Sequence, residues 1–183
     1  MYEPSDDSYF LEEYIQNLEK TYDLALDMGT GSGIIAKALT KKAKKVIACD
    51  LQKEVIQKLK LQNIKTYHSN LFSNIPKKYY KKINLITFNP PYLPLGEDKL
   101  DVELHGGVLG VETTIKFLHQ AKKYLAPKAK IYFIASNNSK LEFLDLKLLE
   151  LGYEFEIKKE LKLFFEKLFI YEAKLINVYI HKF

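Results

Sequence analysis

The sequence predicts an α/β protein with one mostly parallel, seven-stranded sheet, helices on both of its faces and an antiparallel hairpin at the C-terminus. Three observations predict this fold class. Short apolar runs alternate with segments in which apolar residues recur at helical spacing. A glycine-rich turn at residues 29–33 joins the first run to a helix, and the last two extended runs have no helical pattern between them. With 183 residues, 47% of them hydrophobic, the chain (1–183) is expected to form one domain.

The chain up to residue 88 predicts three helices and four strands. Ser5 is expected to cap the first helix, because Asp6 and Asp7 follow it at the positive end of the helix dipole. The strands are expected at residues 24–28, 46–49, Ile64–His68 and Ile83–Phe88, with Ile64–His68 at a sheet edge. Apolar positions mark the helices: Phe10, Leu11, Tyr14, Ile15 and Leu18 in the first, Ile34, Ile35, Ala38 and Leu39 in the second, Val55, Ile56 and Leu59 in the third.

The rest of the chain predicts an irregular loop, two helices and three strands. Leu118, Ala121 and Leu125 mark a helix that is expected to stop before Pro127. A strand at residues 131–135 follows, and residues 153–163 and 164–180 are expected to pair as the hairpin. The loop contains Gly96, Gly106, Gly107 and Gly110, and the last helix carries Leu141, Leu144 and Leu148 and is closed by Gly152.

Composition excludes several classes of protein. No run reaches the roughly 18 apolar residues of a membrane helix, and the N-terminus is acidic where a signal peptide is basic, so a cytoplasmic protein is expected. The only cysteine, Cys49, lies in an apolar run and the four histidines are scattered, so no metal site is expected. The net charge is +5, but every basic residue is lysine, so arginine's forked contacts with phosphate are absent.

A glycine-rich turn between the first strand and its helix predicts a cofactor site. Residues 27–33 read Asp-Met-Gly-Thr-Gly-Ser-Gly, and such a turn lets a ligand approach the backbone closely. Asp50 ends the next strand, 21 residues beyond Gly29, where a carboxylate can bind both ribose hydroxyls. NAD, FAD and S-adenosylmethionine all fit these residues. Asp27 favours the last, because its charge would repel a pyrophosphate and attract an ammonium or sulfonium group.

The tetrapeptide at residues 89–92, Asn-Pro-Pro-Tyr, directly follows the fourth strand. The Asn89 carboxamide oxygen and the Pro90 carbonyl can both accept hydrogen bonds from one NH₂ group and so orient its nitrogen towards a methyl donor. Tyr92 can stack on a flat acceptor. These residues predict N-methylation of a planar amide or amino group, and residue chemistry leaves open which of the two it is.

Four segments together resemble the ordered motifs of the HemK-type glutamine methyltransferases. They are residues 2–8 (Tyr-Glu-Pro-Ser-Asp-Asp-Ser), 27–33, 88–92 (Phe-Asn-Pro-Pro-Tyr) and 105–107 (His-Gly-Gly). The resemblance spans nearly the whole chain and is closest to the short archaeal and eukaryotic branch, which lacks an N-terminal helical domain. It implies a Rossmann-like class I methyltransferase fold and methylation of the glutamine in the Gly-Gly-Gln motif of the class-one translation termination factor.

The resemblance also assigns roles to residues. Asn89, Pro90 and Tyr92 would hold the acceptor, and Asn70 stands where the family commonly has an aspartate that contacts adenine. The loop from Gly96 to Gly110 would border the substrate cleft and leave room for the Gly-Gly-Gln peptide. The expected cofactor-binding residues are Tyr2, Pro4, Asp7, Ser8, Asp27, Gly29, Thr30, Gly31, Gly33, Asp50, Leu51, Asn70, Leu71 and Asn89.

The family resemblance implies a protein partner as well. Its archaeal and eukaryotic members use a small zinc-binding activator that adds a strand to the sheet edge, here expected at Ile64–His68. Two alternatives to glutamine methylation stay open. One is methylation of an exocyclic amino group in RNA or DNA, since the tetrapeptide offers adenine or guanine the same geometry, and the other is a cofactor-binding scaffold without catalysis.

Overall fold

The computed structural model describes residues 3–59, 63–96 and 104–176, and within them it contains a seven-stranded sheet of order β3-β2-β1-β4-β7-β9-β8. The strands are β1 (Tyr22–Met28), β2 (Ala43–Asp50), β3 (Ile64–His68), β4 (Ile83–Phe88), β5 (Leu93–Pro94), β6 (His105–Gly107), β7 (Leu125–Ser136), β8 (Tyr153–Lys162) and β9 (Lys167–Leu175). The helices are α1 (Asp6–Gln16), α2 (Ile34–Leu39), α3 (Lys53–Lys58), α4 (Glu112–Ala121) and α5 (Leu141–Glu150), and Lys77–Tyr79 forms one 3₁₀ turn.

Strand direction in the large sheet matches the predicted fold class. β3, β2, β1, β4 and β7 are parallel, β9 runs antiparallel to β7, and β8 pairs with β9 as an antiparallel hairpin. A parallel neighbour requires a crossover, which α2, α3 and α4 supply for the pairs β1–β2, β2–β3 and β4–β7. The prediction of a mostly parallel, Rossmann-like sheet with a C-terminal hairpin is therefore confirmed.

Apolar residues fill both faces of the sheet. Neighbouring residues of one strand point to opposite faces, and accordingly Ala25 and Leu26 belong to different buried clusters. The cluster with Ala25 includes side chains from α1 and α2, and the cluster with Leu26 includes side chains from α4 and α5. Cys49 is fully buried in the second cluster, where burial raises the pKa of its thiol, so its predicted role as a packed side chain is confirmed.

The helix predicted to reach Leu125 ends earlier than its apolar spacing suggests. α4 stops at Ala121, and Leu125 instead begins β7, where its backbone pairs with Ile83. Leu118, Ala121 and Leu125 are all buried. Leu125 is therefore buried, as the helical spacing predicts, but it is buried as the first residue of a strand and not as part of α4. Pro127 lies inside β7, beside a register shift between the pairs made by Ile83 and Leu85, where a missing N–H is tolerated.

Ser5 precedes the first helix as predicted but does not cap it with its side chain. Its hydroxyl donates a hydrogen bond to the Asp7 carboxylate at 2.8 Å instead of accepting one from a helix N–H. Two acidic residues, Asp6 and Asp7, do occupy the first turn. The helix start was thus predicted correctly, and the prediction of a Ser5 side-chain cap was wrong, since the Ser8 N–H in the first turn donates to the Asp7 carboxylate.

Other features of the described residues also differ from the predictions. The loop after β4 contains a short parallel pair, β5 with β6, where only irregular chain was expected. β2 begins at Ala43, three residues early, because exposed Lys44 and Lys45 hide its strand character. The predicted run to residue 180 ends at Leu175 among the described residues, and residues 177–180 lie outside them. None of the described helices is long and apolar enough to cross a membrane.

Candidate active site

A cavity of about 540 Å³ lies at the carboxyl ends of β1, β2 and β4. From β1 the chain builds β2 and β3 on one side and then returns to place β4 on the other. The cavity therefore lies where the strand order reverses, which is the usual ligand site of such sheets. The predicted site residues that line the cavity in the structure are Asp7, Ser8, Gly29, Thr30, Gly31, Asp50, Leu51, Asn70, Leu71, Asn89, Pro90 and Tyr92.

The glycine turn forms one wall of the cavity. Gly29 and Gly31 have backbone φ values of +62° and +50°, in a region that residues other than glycine rarely adopt. A Cβ atom on Gly29 would lie 3.2 Å from the Phe88 ring, so this backbone packs directly against the end of β4. The Thr30 N–H donates to the Cys49 carbonyl at 2.9 Å, which ties the turn to β2.

Asp50 connects the glycine turn to the loop after β2. Its Oδ2 accepts a hydrogen bond from the Gly31 N–H at 2.9 Å, and its Oδ1 accepts one from the Gln52 N–H at 2.8 Å. The second contact resembles the capping role that such a residue has ahead of a helix. Because each carboxylate oxygen has two lone-pair positions, both oxygens can accept one further hydrogen bond from a ligand in the cavity.

Asp27 lies beneath the glycine turn and does not line the cavity. Its carboxylate oxygens accept hydrogen bonds from the Thr30 and Thr87 hydroxyls, both at 2.8 Å. Burial raises the pKa of Asp27 to about 7, and the two threonine hydrogen bonds oppose that rise. The geometry does not support the predicted direct contact with the cofactor, since these hydroxyls hold the carboxylate below the turn. Asp27 instead fixes the position of Thr30.

Asn89 supplies an unusual polar atom at the end of β4. Its Oδ1 is buried and makes no hydrogen bond to any other described residue. A buried acceptor without a partner costs about 1–3 kcal/mol, so proteins rarely retain one without a use for it. Asn89 and the buried Pro90 both line the cavity, beside the glycine turn, because Met28 and Phe88 pair at the ends of β1 and β4. This oxygen is therefore the candidate acceptor for an N–H donor that enters the cavity.

Tyr92 joins the acceptor tetrapeptide to the N-terminal helix. Its hydroxyl donates to Asp7 Oδ2 at 3.3 Å, across 85 positions of the sequence. The other Asp7 oxygen accepts hydrogen bonds from the Ser5 hydroxyl and from the Ser8 backbone N–H and hydroxyl. Asp7 is only 3% exposed, so the helix start and the tetrapeptide form one wall of the cavity.

Glycines hold the backbone of the tetrapeptide from behind. A Cβ atom on Gly106 would collide with the Pro91 carbonyl oxygen, and one on Gly110 would lie 2.5 Å from the Tyr92 carbonyl oxygen. The Ser139 hydroxyl donates to that same Tyr92 oxygen at 2.6 Å. These two glycines were predicted to leave room for a substrate peptide, but the space beside them is filled by the tetrapeptide itself.

The lining of the cavity differs from the prediction at several residues. Pro4 is half-buried and does not line it, Gly33 precedes α2 outside the lining, and Tyr2 lies outside the described residues. The role of Ser139 was missed because no local pattern links it to a tetrapeptide 47 positions away. Further lining residues that were not predicted include Gln52, Val55, Ser69, Thr113 and Lys116, whereas Leu104 belongs to the loop that was expected to border the cleft.

The residues that line the cavity lie in segments that this chain shares with known proteins. Residues 8–161 match the family model described as the methyltransferase small domain. A protein of Methanocaldococcus jannaschii, named provisionally as a protein N5-glutamine methyltransferase, is 34% identical, and the match covers 94% of this chain and 91% of the relative. A release factor glutamine methyltransferase of Shewanella oneidensis is 30% identical over 87% of this chain, which spans only 56% of that relative.

A solved structure has the same overall architecture. It is the E. cuniculi Mtq2-Trm112 complex, described as responsible for the methylation of the eRF1 translation termination factor. The match has a TM-score of 0.78 at 24% identity and covers 96% of this chain and 98% of the other. The family model includes the glycine turn, Asp50 and the tetrapeptide, and the M. jannaschii match covers nearly the whole chain. The chain belongs to the methyltransferase small domain family.

Proposed function

We propose that the protein transfers a methyl group from S-adenosylmethionine to the side-chain nitrogen of a glutamine, within the Gly-Gly-Gln motif of a class-one translation termination factor. The observation that carries the proposal is the unpartnered, buried Oδ1 of Asn89 in a cavity that also contains the glycine turn. The glutamine methyltransferase names of the relatives support the choice of an amide over a nucleobase.

The residues of the cavity fit this cofactor. Gly29 and Gly31 line the cavity with their backbone, and Asp50 retains acceptor positions for the two ribose hydroxyls. Leu51, Asn70 and Leu71 line the adjacent part of the cavity, where an adenine would lie. Asp7 and Ser8 would close the site from the N-terminal side. S-adenosylmethionine supplies an electrophilic methyl group on its sulfonium sulfur.

Asn89 and Pro90 would orient the acceptor. Their two oxygens would accept hydrogen bonds from the two N–H groups of a primary amide, and this arrangement would turn the weakly nucleophilic nitrogen towards the cofactor. The same oxygens stabilise the positive charge that develops on these N–H groups during transfer, and preorganised acceptors are effective in a cavity with little water. Tyr92 would pack its ring on the planar amide while its hydroxyl stays bonded to Asp7.

A competition assay tests the proposal. The purified protein, with any zinc-binding partner present and with radiolabelled S-adenosylmethionine, is offered its own termination factor together with total cellular RNA and DNA. We expect label in the factor and none after its Gly-Gly-Gln glutamine is replaced by alanine. Label in nucleic acid with an unmodified factor would instead support methylation of an exocyclic amino group and would contradict glutamine methylation.

We also propose a small protein partner at the β3 edge, as a zinc-binding activator that adds a strand. β3 is the outermost strand on its side of the described sheet, and its Ile64 and Tyr67 are half-buried. The E. cuniculi structure is itself a two-protein complex. Co-purification from the native source tests this: a chain that is monodisperse and fully active without a partner would rule it out. A cytoplasmic location follows from the proposed substrate and is part of the same proposal.

A further inference from the structure

Two aromatic side chains are exposed at the turn between β8 and β9. Phe164 and Phe165 are 91% and 86% exposed, the two highest values among the large hydrophobic residues that the structure describes. Their rings contact each other edge-on, with centroids 4.5 Å apart. Hydrating so much aromatic surface is unfavourable, and exposed apolar patches of this kind commonly mark a binding surface.

Strand direction places this aromatic turn at the active-site end of the sheet. β7 runs parallel to β4, and its last residue, Ser136, pairs with Leu168 at the start of β9. The pair Lys162 and Lys167 closes the β8–β9 hairpin next to the turn. The aromatic turn therefore lies at the same end of the sheet as the carboxyl ends of β4 and β7.

Residues 136–139 connect the aromatic turn to the acceptor tetrapeptide. The Ser136 hydroxyl donates to the Glu166 carboxylate at 2.8 Å, and the Asn137 side-chain oxygen accepts from the Lys167 N–H at 2.6 Å. Ser139, in the same segment, holds the Tyr92 carbonyl oxygen. The turn is thus fixed relative to the active site, so a partner that contacts both surfaces loses little entropy in ordering them.

We propose that Phe164 and Phe165 form a docking contact for the folded body of the protein substrate, outside the Gly-Gly-Gln loop that enters the cavity. This inference rests on the proposed function. The charges near the turn favour a protein over a nucleic acid. Lys162 and Lys167 lie beside the carboxylate of Glu160, at 3.8 and 3.7 Å, and Glu166 adds a second negative charge, so the charges at the turn balance. Surfaces that bind nucleic acid instead combine aromatic rings with a positively charged groove.

The test compares a whole termination factor with a short Gly-Gly-Gln peptide as substrates. In the double variant Phe164→Ser/Phe165→Ser, we expect KM for the whole factor to rise about ten- to a hundredfold, as when central aromatic contacts of an interface are removed. The kinetic constants for the peptide should be unchanged, which also shows that the variant folds. The control is Leu146→Ser/Leu149→Ser, which changes two residues of α5 that are 59% and 56% exposed and should affect neither substrate.

Each other outcome overturns the docking contact in a recognisable way. If the unmodified protein methylates both substrates and the phenylalanine variant behaves like it, Phe164 and Phe165 do not bind the factor. If the variant only loses self-association in sedimentation, or only loses affinity for RNA, the surface serves a second copy or a nucleic acid instead. If the unmodified protein, assayed together with its proposed partner, methylates neither substrate, the proposed function fails first and the docking contact fails with it.

Discussion

At the scale of a single residue, the cost of burying the Asn89 oxygen without a hydrogen bond is linked to its proposed role in binding the acceptor. Its carboxamide oxygen is buried without a partner among the described residues, and an entering N–H group would relieve that cost. The sequence predicted this role, because prolines after a buried strand fix where the strand must end. It could not predict that Tyr92 binds Asp7, since that contact depends on how α1 lies across the sheet.

Replacing Asn89 by alanine should separate binding from turnover. Asn89→Ala removes an acceptor that orients the substrate, so we expect kcat to fall roughly a hundredfold or more with little change in cofactor affinity. Single-turnover kinetics and calorimetry measure the two quantities. The control is Asn84→Ala at the start of the same strand, where Asn84 Oδ1 accepts the Leu24 N–H. It should lower stability while kcat stays intact. Equal losses of cofactor affinity and kcat in Asn89→Ala would indicate a structural role.

Replacing Asp50 by alanine should weaken S-adenosylmethionine binding by about 2 kcal/mol or more, because a charged acceptor for two hydroxyls is lost. The structure adds a complication, since Asp50 also holds the Gly31 and Gln52 N–H groups. Asp50→Asn is therefore the matched variant: it keeps one oxygen acceptor and the side-chain size but loses the charge. Calorimetry should give an intermediate affinity. Unchanged affinity in both variants would mean that another residue binds the ribose.

At the scale of elements, the β-strand ends are easier to predict than the helix ends. Asn89 and its prolines define the end of β4, whereas Leu125 was assigned to a helix because its burial also suits helical spacing. The pairing of β5 with β6 could not be predicted, because it depends on backbone contacts between segments that have no apolar pattern. The glycines beside it were recognisable in the sequence, but the surface that they pack against was not.

Gly106 tests how the β5–β6 pair supports the tetrapeptide. Gly106→Ala places a methyl group against the Pro91 and Gly110 carbonyls, and we expect it to cost about 1–3 kcal/mol and to lower kcat at least tenfold. Chemical denaturation and steady-state kinetics measure these effects. Gly96→Ala is the control, since a Cβ atom there would meet nothing within 4 Å. Similar behaviour of the two variants would show that the loop adapts and does not brace the tetrapeptide.

Glu172 links β9 to β7 and should make the hairpin sensitive to acid. Burial alone would raise its pKa, but hydrogen bonds from Lys130, Lys174 and Tyr132 lower it to about 2, below its ordinary value of 4.5. A carboxyl whose pKa is lower in the folded state stabilises the fold above about pH 4.5, and this contribution is lost as pH falls towards 2.

Glu172→Gln should therefore destabilise the protein at pH 7 by on the order of 2 kcal/mol and flatten the pH dependence of stability on the acid side. Urea unfolding between pH 7 and pH 2.5 measures both effects. Glu160→Gln is the control, because Glu160 makes only long ion pairs at the surface and should change stability little. A parallel downward shift of the Glu172→Gln curve at every pH would contradict the assigned ionisation.

At the scale of the whole molecule, charge should distinguish a protein substrate from a nucleic acid. The net charge is +5, but it comes from lysines without a single arginine. Activity that depended on several phosphate contacts would fall about ten- to a thousandfold between low and physiological salt. We expect the rate with the termination factor to change only slightly over that range. A steep loss, measured under initial-rate conditions, would favour the nucleic-acid alternative.

The buried oxygen of Asn89 also bears on how many methyl groups the protein adds. In the proposed reaction a primary amide has two N–H bonds for the two oxygens of Asn89 and Pro90, whereas the N-methylamide product has only one. After transfer one oxygen again lacks a donor, which favours departure of the product and disfavours its return for another cycle. In the proposed reaction, the geometry that selects the acceptor would thereby favour the transfer of a single methyl group.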